Sequence, residues 1–222
     1  MNPIRGFRLP FTPVLAAVAL VAFSGAWAQD YFTLVAIPDT QKHVQVVTMD
    51  SEGPGDFGTQ PFRATFGELT GWIVNHLQKE KIAFVTHVGD IVEHGGLSDP
   101  AVLGVGNVRE WSVADAAMGK LDGVVPYGLS AGNHDFEIPN RGLEAFGADT
   151  RADRFLQYFG PQRFAGYPWY GGSSPASSVS VGVPPQLITH PAGLNKYQFF
   201  TAGGQRFLHF NLEWEIFDPA IA

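Results

Sequence analysis

Asp39-Thr40-Gln41, Gly89-Asp90-Ile91-Val92-Glu93 and Gly132-Asn133-His134-Asp135 are the stretches in which this chain gathers side chains able to do chemistry. Asp39 and Asp90 supply carboxylates, Gln41 and Asn133 side-chain amides, and His134 an imidazole. Such a mainly oxygen-rich set suits hard or borderline divalent cations such as Mg, Mn or Fe, and an imidazole also tolerates Zn. A carboxylate lying between two cations can bridge them, and Asp90, in the middle stretch, is the natural candidate. Two cations about 4 Å apart clamp a phosphoryl group and lower the pKa of bound water. Gly89 and Gly132 let the backbone turn sharply and keep bulk away from the ions.

Each stretch follows an apolar run that reads as a strand. Tyr31 to Ile37 is nearly continuous and rich in β-branched residues, the pattern of a strand buried on both faces. Ile82 to Val88 and Val124 to Leu129 are the second and third runs. A polar loop over about Lys42 to Gln60 precedes a helix opened by Pro61, in which Phe62, Phe66, Leu69, Ile73 and Leu77 share one face. Trp111, Ala114, Met118 and Leu121 mark a second helix. Strand, helix, strand is a βαβ crossover, and the carboxyl ends of such parallel strands are where ligands bind.

Beyond residue 140, Arg151 to Phe159 predicts a short helix. Residues 165–193, rich in Gly, Pro and Ser, predict a long surface loop in which Trp169 and Tyr170 tuck under their own chain. Tyr197 to Thr201 and Arg206 to Leu212 flank Gly203-Gly204, a hairpin signal. His87, inside the second strand, reads as a hydrogen-bonded core residue, and Glu93 and His94 as neighbours of the ligands or of substrate.

The three motifs, in this order and each after a strand, resemble the D-x-[H/Q], GDxx[D/N/E] and GNH[D/E] signatures of the calcineurin-like metallophosphoesterase family. The resemblance implies a four-layer α/β/β/α sandwich around a dinuclear centre of two divalent ions (Mn, Fe, Mg or Zn) that hydrolyses phosphate mono- or diesters. It further implies that Asp39 and Gln41 bind the first metal, that Asp90 bridges, and that Asn133 binds the second. Asn133 and His134 would contact the substrate, with His134 touching the phosphate and protonating the leaving group as the catalytic acid. Substrates would be small phosphoesters or phosphoproteins.

Two departures qualify the match. Gln41 stands where the family usually has histidine, and a neutral amide oxygen favours Mn, Fe or Mg over Zn. The family's downstream lone histidine and G-H-x-H motif are missing: His190 precedes proline in an expected loop and His209 lies mid-strand. The expectation is a domain incomplete at its C-terminus, a truncated reading of a longer gene. The alternative is a non-catalytic fragment, or an exported binding module that keeps the first half of the fold.

Composition sets the outer bounds. With 45% hydrophobic and 16% charged residues the chain is globular rather than disordered. A net charge of −7 without any basic run argues against general nucleic-acid binding. Arg5 and Arg8, the apolar Val14 to Phe23 and Ala26-Trp27-Ala28 predict a signal peptide over residues 1–28, followed by the phosphoesterase domain over 29–222. Its cleavage would remove two arginines and no acids, taking the net charge from −7 to −9. An exported protein, periplasmic or extracellular and without a stable membrane span, is the expectation. The chain has no cysteine, so disulfides and thiolate sites are excluded.

Overall fold

The computed structural model describes residues 31–44, 60–96, 106–136, 152–181 and 186–214. The expected signal segment lies outside them. Three strands, β1 (Thr33–Ile37), β2 (Ile82–His87) and β3 (Tyr127–Leu129), form a parallel sheet in the order β1-β2-β3. A single turn, α1 (Gln41–Val44), follows β1. The long helix α2 (Gln60–His76) and then α3 (Gly106–Met118) connect successive strands.

The helical periodicity accounts for the packing. Phe66 and Ile73 of α2 and Trp111, Ala114 and Met118 of α3 are buried in one apolar cluster with Ile37, Val85 and Leu129 of the sheet. Leu69 and Leu77 pack at its margin. Large side chains of this kind contribute roughly 1.5–3 kcal/mol each by leaving water. Phe62 falls among side chains outside the described set.

After α4 (Asp153–Phe159) and α5 (Pro161–Phe164), the chain builds a second sheet. It comprises β4 (Tyr170–Ser173), β7 (Lys196–Ala202) and β8 (Gln205–Asn211), antiparallel in the order β4-β7-β8. Strands β5 (Ser177–Val181) and β6 (Gln186–His190) form a separate antiparallel pair. The β7–β8 turn puts Gly203 at φ 54° and Gly204 at φ 73°, the doubly left-handed pair that two-residue hairpins need. The two main sheets face each other through Phe84 stacked on Phe200 at 4.8 Å and Phe32 tilted on Phe207 at 5.2 Å.

The result is a mixed α/β architecture with helices, a parallel sheet and an antiparallel sheet in successive layers. The far face of β8 carries Leu208 and Phe210, 48% and 57% exposed, so the described residues build no fourth, helical layer over them.

Three expectations need correction. β1 is not buried on both faces: among the described residues it is an edge strand, and Leu34 is 53% exposed because the second sheet lies under β2 and β3 instead. Residues 165–193 are not one loop, since they hold β4, β5 and β6; their short Ser/Val and Leu/Ile/Thr alternations are set among Gly, Pro and Ser, which hides them. His190 accordingly ends a strand and does not sit in a loop. Trp169, as expected, is held by aromatics, stacking on Tyr167 at 5.0 Å and packing on Phe164 and Tyr127.

Candidate metal centre

Ile37, His87 and Leu129 are register partners at the carboxyl ends of the three parallel strands, so the motifs that follow them emerge side by side. Asp39 stands exposed just past β1 and Gln41 opens α1. Asp90 occupies the turn after β2. Asn133 and His134 lie in a single 3-10 turn, Asn133–Asp135, after β3.

Direct hydrogen bonds lock the three turns together. The Asp90 carbonyl accepts from Thr40 N at 3.1 Å and Gln41 N at 3.0 Å. The Asp90 Oδ1 accepts from His134 N at 2.9 Å. Gly132 rests on Asp90 so closely that a Cβ there would lie 2.2 Å from both Asp90 N and Asp90 Oδ1. Gly89 holds φ at 112° and a Cβ on it would meet Gly132 N at 2.7 Å. Asp90 itself is in the left-handed region with φ 51°, a conformation that costs a non-glycine residue roughly 1–3 kcal/mol and clusters at functional sites.

A residue that motif matching left without a role organises the set. Asp135 is fully buried, and its Oδ1 accepts from Ile91 N at 2.9 Å and Val92 N at 3.2 Å, while its Oδ2 accepts from Gly132 N at 2.9 Å. Burial pushes its carboxyl up to about 8, against the pull of those three N–H groups and with a further push from Asp90. The Asp90 carboxyl is also raised, first by burial. The N–H and ring of His134 oppose this, and the neighbouring Asp39 and Glu93 add to it. Carboxylates that repel one another at a partly buried site are poised to share a cation.

His134 is held by Glu93. Its Nδ1 lies 3.0 Å from the Glu93 carbonyl, which can only accept, so Nδ1 carries a proton and Nε2 is the nitrogen available for exchange. The Glu93 Oε2 is 3.9 Å from the same Nδ1, and Glu93 Oε1 takes a hydrogen bond from Lys42 Nζ at 2.9 Å. Lys42 carries no signal of this pairing in the sequence. His94 turns away to Glu110 of α3, with Nδ1 2.9 Å from Oε1 and its backbone N 2.9 Å from Oε2.

The downstream histidines have other surroundings. His190 Nδ1 lies 3.1 Å from Glu213 Oε1, which also accepts from Asn195 Nδ2 at 2.8 Å. His209 packs on Phe84 at 4.6 Å. Trp214 N donates to Ala131 O at 2.8 Å, tying the chain after β8 to the approach to Gly132.

The donor set can be tested against divalent cations on these facts. Among the described residues no three His, Asp or Glu side chains gather closely enough to hold a metal. Two carboxylates converge, and amides must complete the set. The Gln41 Oε1 is buried without a hydrogen-bond partner, as is Glu93 Oε2, which is the condition of oxygens awaiting a cation or donor. The carboxylate and amide oxygens that Asp39, Gln41, Asp90 and Asn133 carry are the donor types that oxygen-preferring divalent ions take.

A family model described as calcineurin-like phosphoesterase matches residues 32–215. The chain is also 26% identical over 196 residues to the uncharacterized protein YvnB of Bacillus subtilis (strain 168). That match covers 88% of this chain and 11% of the relative, so the chain spans about a tenth of the curated protein it resembles.

Proposed function

The chain belongs to the calcineurin-like phosphoesterase family, and from that premise we propose that it hydrolyses phosphate mono- or diesters at a pair of divalent cations. The observation that carries this reading is the hydrogen-bonded convergence of the three motif turns on Asp90. Asp39 and Gln41 would hold one ion, Asn133 the other, and Asp90 would serve both. Such ions supply an acidified water and positive charge opposite the phosphoryl oxygens.

The chain's own residues do the rest. Asn133 and His134, on one tight turn, would orient the phosphoryl group. The Glu93 carbonyl fixes the His134 ring through Nδ1, which leaves Nε2 as the nitrogen that would give a proton to the departing oxygen. Gln41, as a neutral oxygen ligand, favours Mn, Fe or Mg. Small phosphoesters and phosphoproteins are both within this chemistry. Export to the periplasm or beyond, from the 1–28 signal, is part of the same reading.

The test is hydrolysis of nitrophenyl phosphate and bis-nitrophenyl phosphate by the full chain with Mn. We expect activity that a chelator abolishes, with His134→Ala losing about 10²–10⁴-fold. Chelator-resistant turnover, or a variant as fast as wild type, would refute the proposal.

A second reading, a non-catalytic binding module, draws on the absence of three converging His, Asp or Glu side chains among the described residues. Metal content separates the two. Nearly two ions per chain supports the enzyme; none, with retention on a carbohydrate column, supports the module.

A further inference from the structure

His87 closes β2 in register with Ile37 and Leu129, and is fully buried against the edge of Phe66 at 5.8 Å. Both of its ring nitrogens reach into the motif turns. Gly89 N donates to Nδ1 at 3.2 Å. Nε2 is 3.0 Å from Thr40 Oγ1, which is in turn 3.0 Å from the Ile91 carbonyl. The His87 carbonyl accepts from Ser130 N at 3.0 Å.

Only one placement of protons satisfies these contacts. The Gly89 N–H occupies the Nδ1 lone pair, so the ring proton is on Nε2 and is donated to Thr40 Oγ1. The Thr40 hydroxyl then donates to Ile91 O, because a carbonyl can only accept. The chain of bonds thus runs one way, from Gly89 through His87 and Thr40 to Ile91. Its ends flank Asp90, and Thr40 lies between Asp39 and Gln41.

We propose that His87 is a positioning residue whose neutral imidazole, protonated at Nε2, sets the separation between the Asp39–Gln41 turn and the Gly89–Ile91 turn. A role in core packing alone would be met by leucine. The polar chain instead fixes where the candidate ligands stand relative to Asp90, as partners behind metal ligands commonly do. Its consequence for metal binding rests on the phosphoesterase reading; the imidazole geometry does not.

The decisive comparison is Thr40→Val, which keeps the shape and loses the hydroxyl, against Thr40→Ser, which keeps the hydroxyl. Calorimetric titration of the full chain with Mn should show Thr40→Val and His87→Leu binding about 10–100-fold more weakly than wild type. Thr40→Ser should bind close to wild type. If His87→Leu does not fold, the Thr40 pair decides alone. Nitrogen-15 NMR of the metal-free protein should show the Nε2–H tautomer at His87, and the Thr40 and Gln41 amides should exchange faster in Thr40→Val than in Thr40→Ser. If wild type takes up no Mn, the phosphoesterase reading falls while the tautomer and exchange results still judge His87. The Nδ1–H tautomer, or equal behaviour of the two Thr40 variants, overturns the proposal.

Discussion

The carboxylate of Asp135 and the backbone N–H of Ile91, 44 residues apart in the chain, meet at 2.9 Å inside the protein. Through this bond and those to Val92 N and Gly132 N, one side chain clasps the second and third motif turns together. Three donors aimed at two oxygens are met by a carboxylate or, less well, by any group with a donor of its own. Asp135→Asn conserves volume but turns an NH2 group toward at least one of these N–H groups. At pH 9, above the value of about 8 to which burial raises the Asp135 carboxyl, we expect it to lower stability by roughly 1–3 kcal/mol, the cost of a buried donor left unpaired, read as a lower urea midpoint with an unchanged slope. A midpoint within error of wild type would show that the clasp is dispensable.

Gly132 offers a second test because its cost is purely steric. Its φ of −86° suits any residue, yet a Cβ would stand 2.2 Å from Asp90 N and Oδ1. Gly132→Ala must therefore push the second and third turns apart and stretch the bond from His134 N to Asp90. Weaker Mn binding by about 10–100-fold is expected in calorimetry. Gly166→Ala, where a Cβ meets nothing within 4 Å, is the matched control and should bind as wild type does.

Much of this arrangement is legible in the amino-acid sequence, for identifiable reasons. Apolar runs ending at Ile37, Val88 and Leu129 mark the parallel strands, and Gly203-Gly204 marks a turn that only left-handed residues can make. What stays hidden depends on tertiary neighbours. That β1 is an edge, leaving Leu34 in solvent, follows from where the second sheet lies. Ser177–Val181 and Gln186–His190 pair with each other through backbone bonds, and their residue types say little about it. The His94–Glu110 and His190–Glu213 pairs join separate elements, 16 and 23 residues apart. Asp135 is visible as a motif letter, but its three backbone donors come from other positions. Lys42 looks like a solvated charge until Glu93 is placed beside it.

Buried His87 makes stability depend on pH with a definite sign. Burial holds its pKa down to about 3, whereas the unfolded imidazole titrates near 6.5. Between those values the unfolded chain binds a proton that the native protein does not. The stability His87 allows is therefore complete above about 6.5 and is lost as pH falls. Asp135, raised to about 8, works in the opposite direction from about 4 to 8, so the contribution of the imidazole is isolated by subtracting His87→Leu. In chelator, the wild-type minus variant difference in unfolding free energy should fall by roughly 2 kcal/mol from pH 6.5 to 5.0. A flat difference would mean that the ring is open to water.

Lys196 carries the complementary dependence at alkaline pH. It is 1% exposed, its Nζ sits 4.5 Å over the Phe155 ring, and its nearest carbonyls, Gly193 and Leu194, are 3.4 and 3.3 Å away. Burial pushes its ammonium down to about 7, with Glu213 pulling it back up. From about pH 7 to 10.5 the unfolded chain holds a proton that the native lysine has lost, so raising pH stabilises the wild type through that window. Lys196→Met fills the same space with no titrating group. Its stability relative to wild type should accordingly shrink by roughly 2–3 kcal/mol between pH 7.5 and 9.5, measured by urea unfolding at both values. A difference that does not change with pH would place the ammonium in contact with solvent and its pKa at the ordinary value.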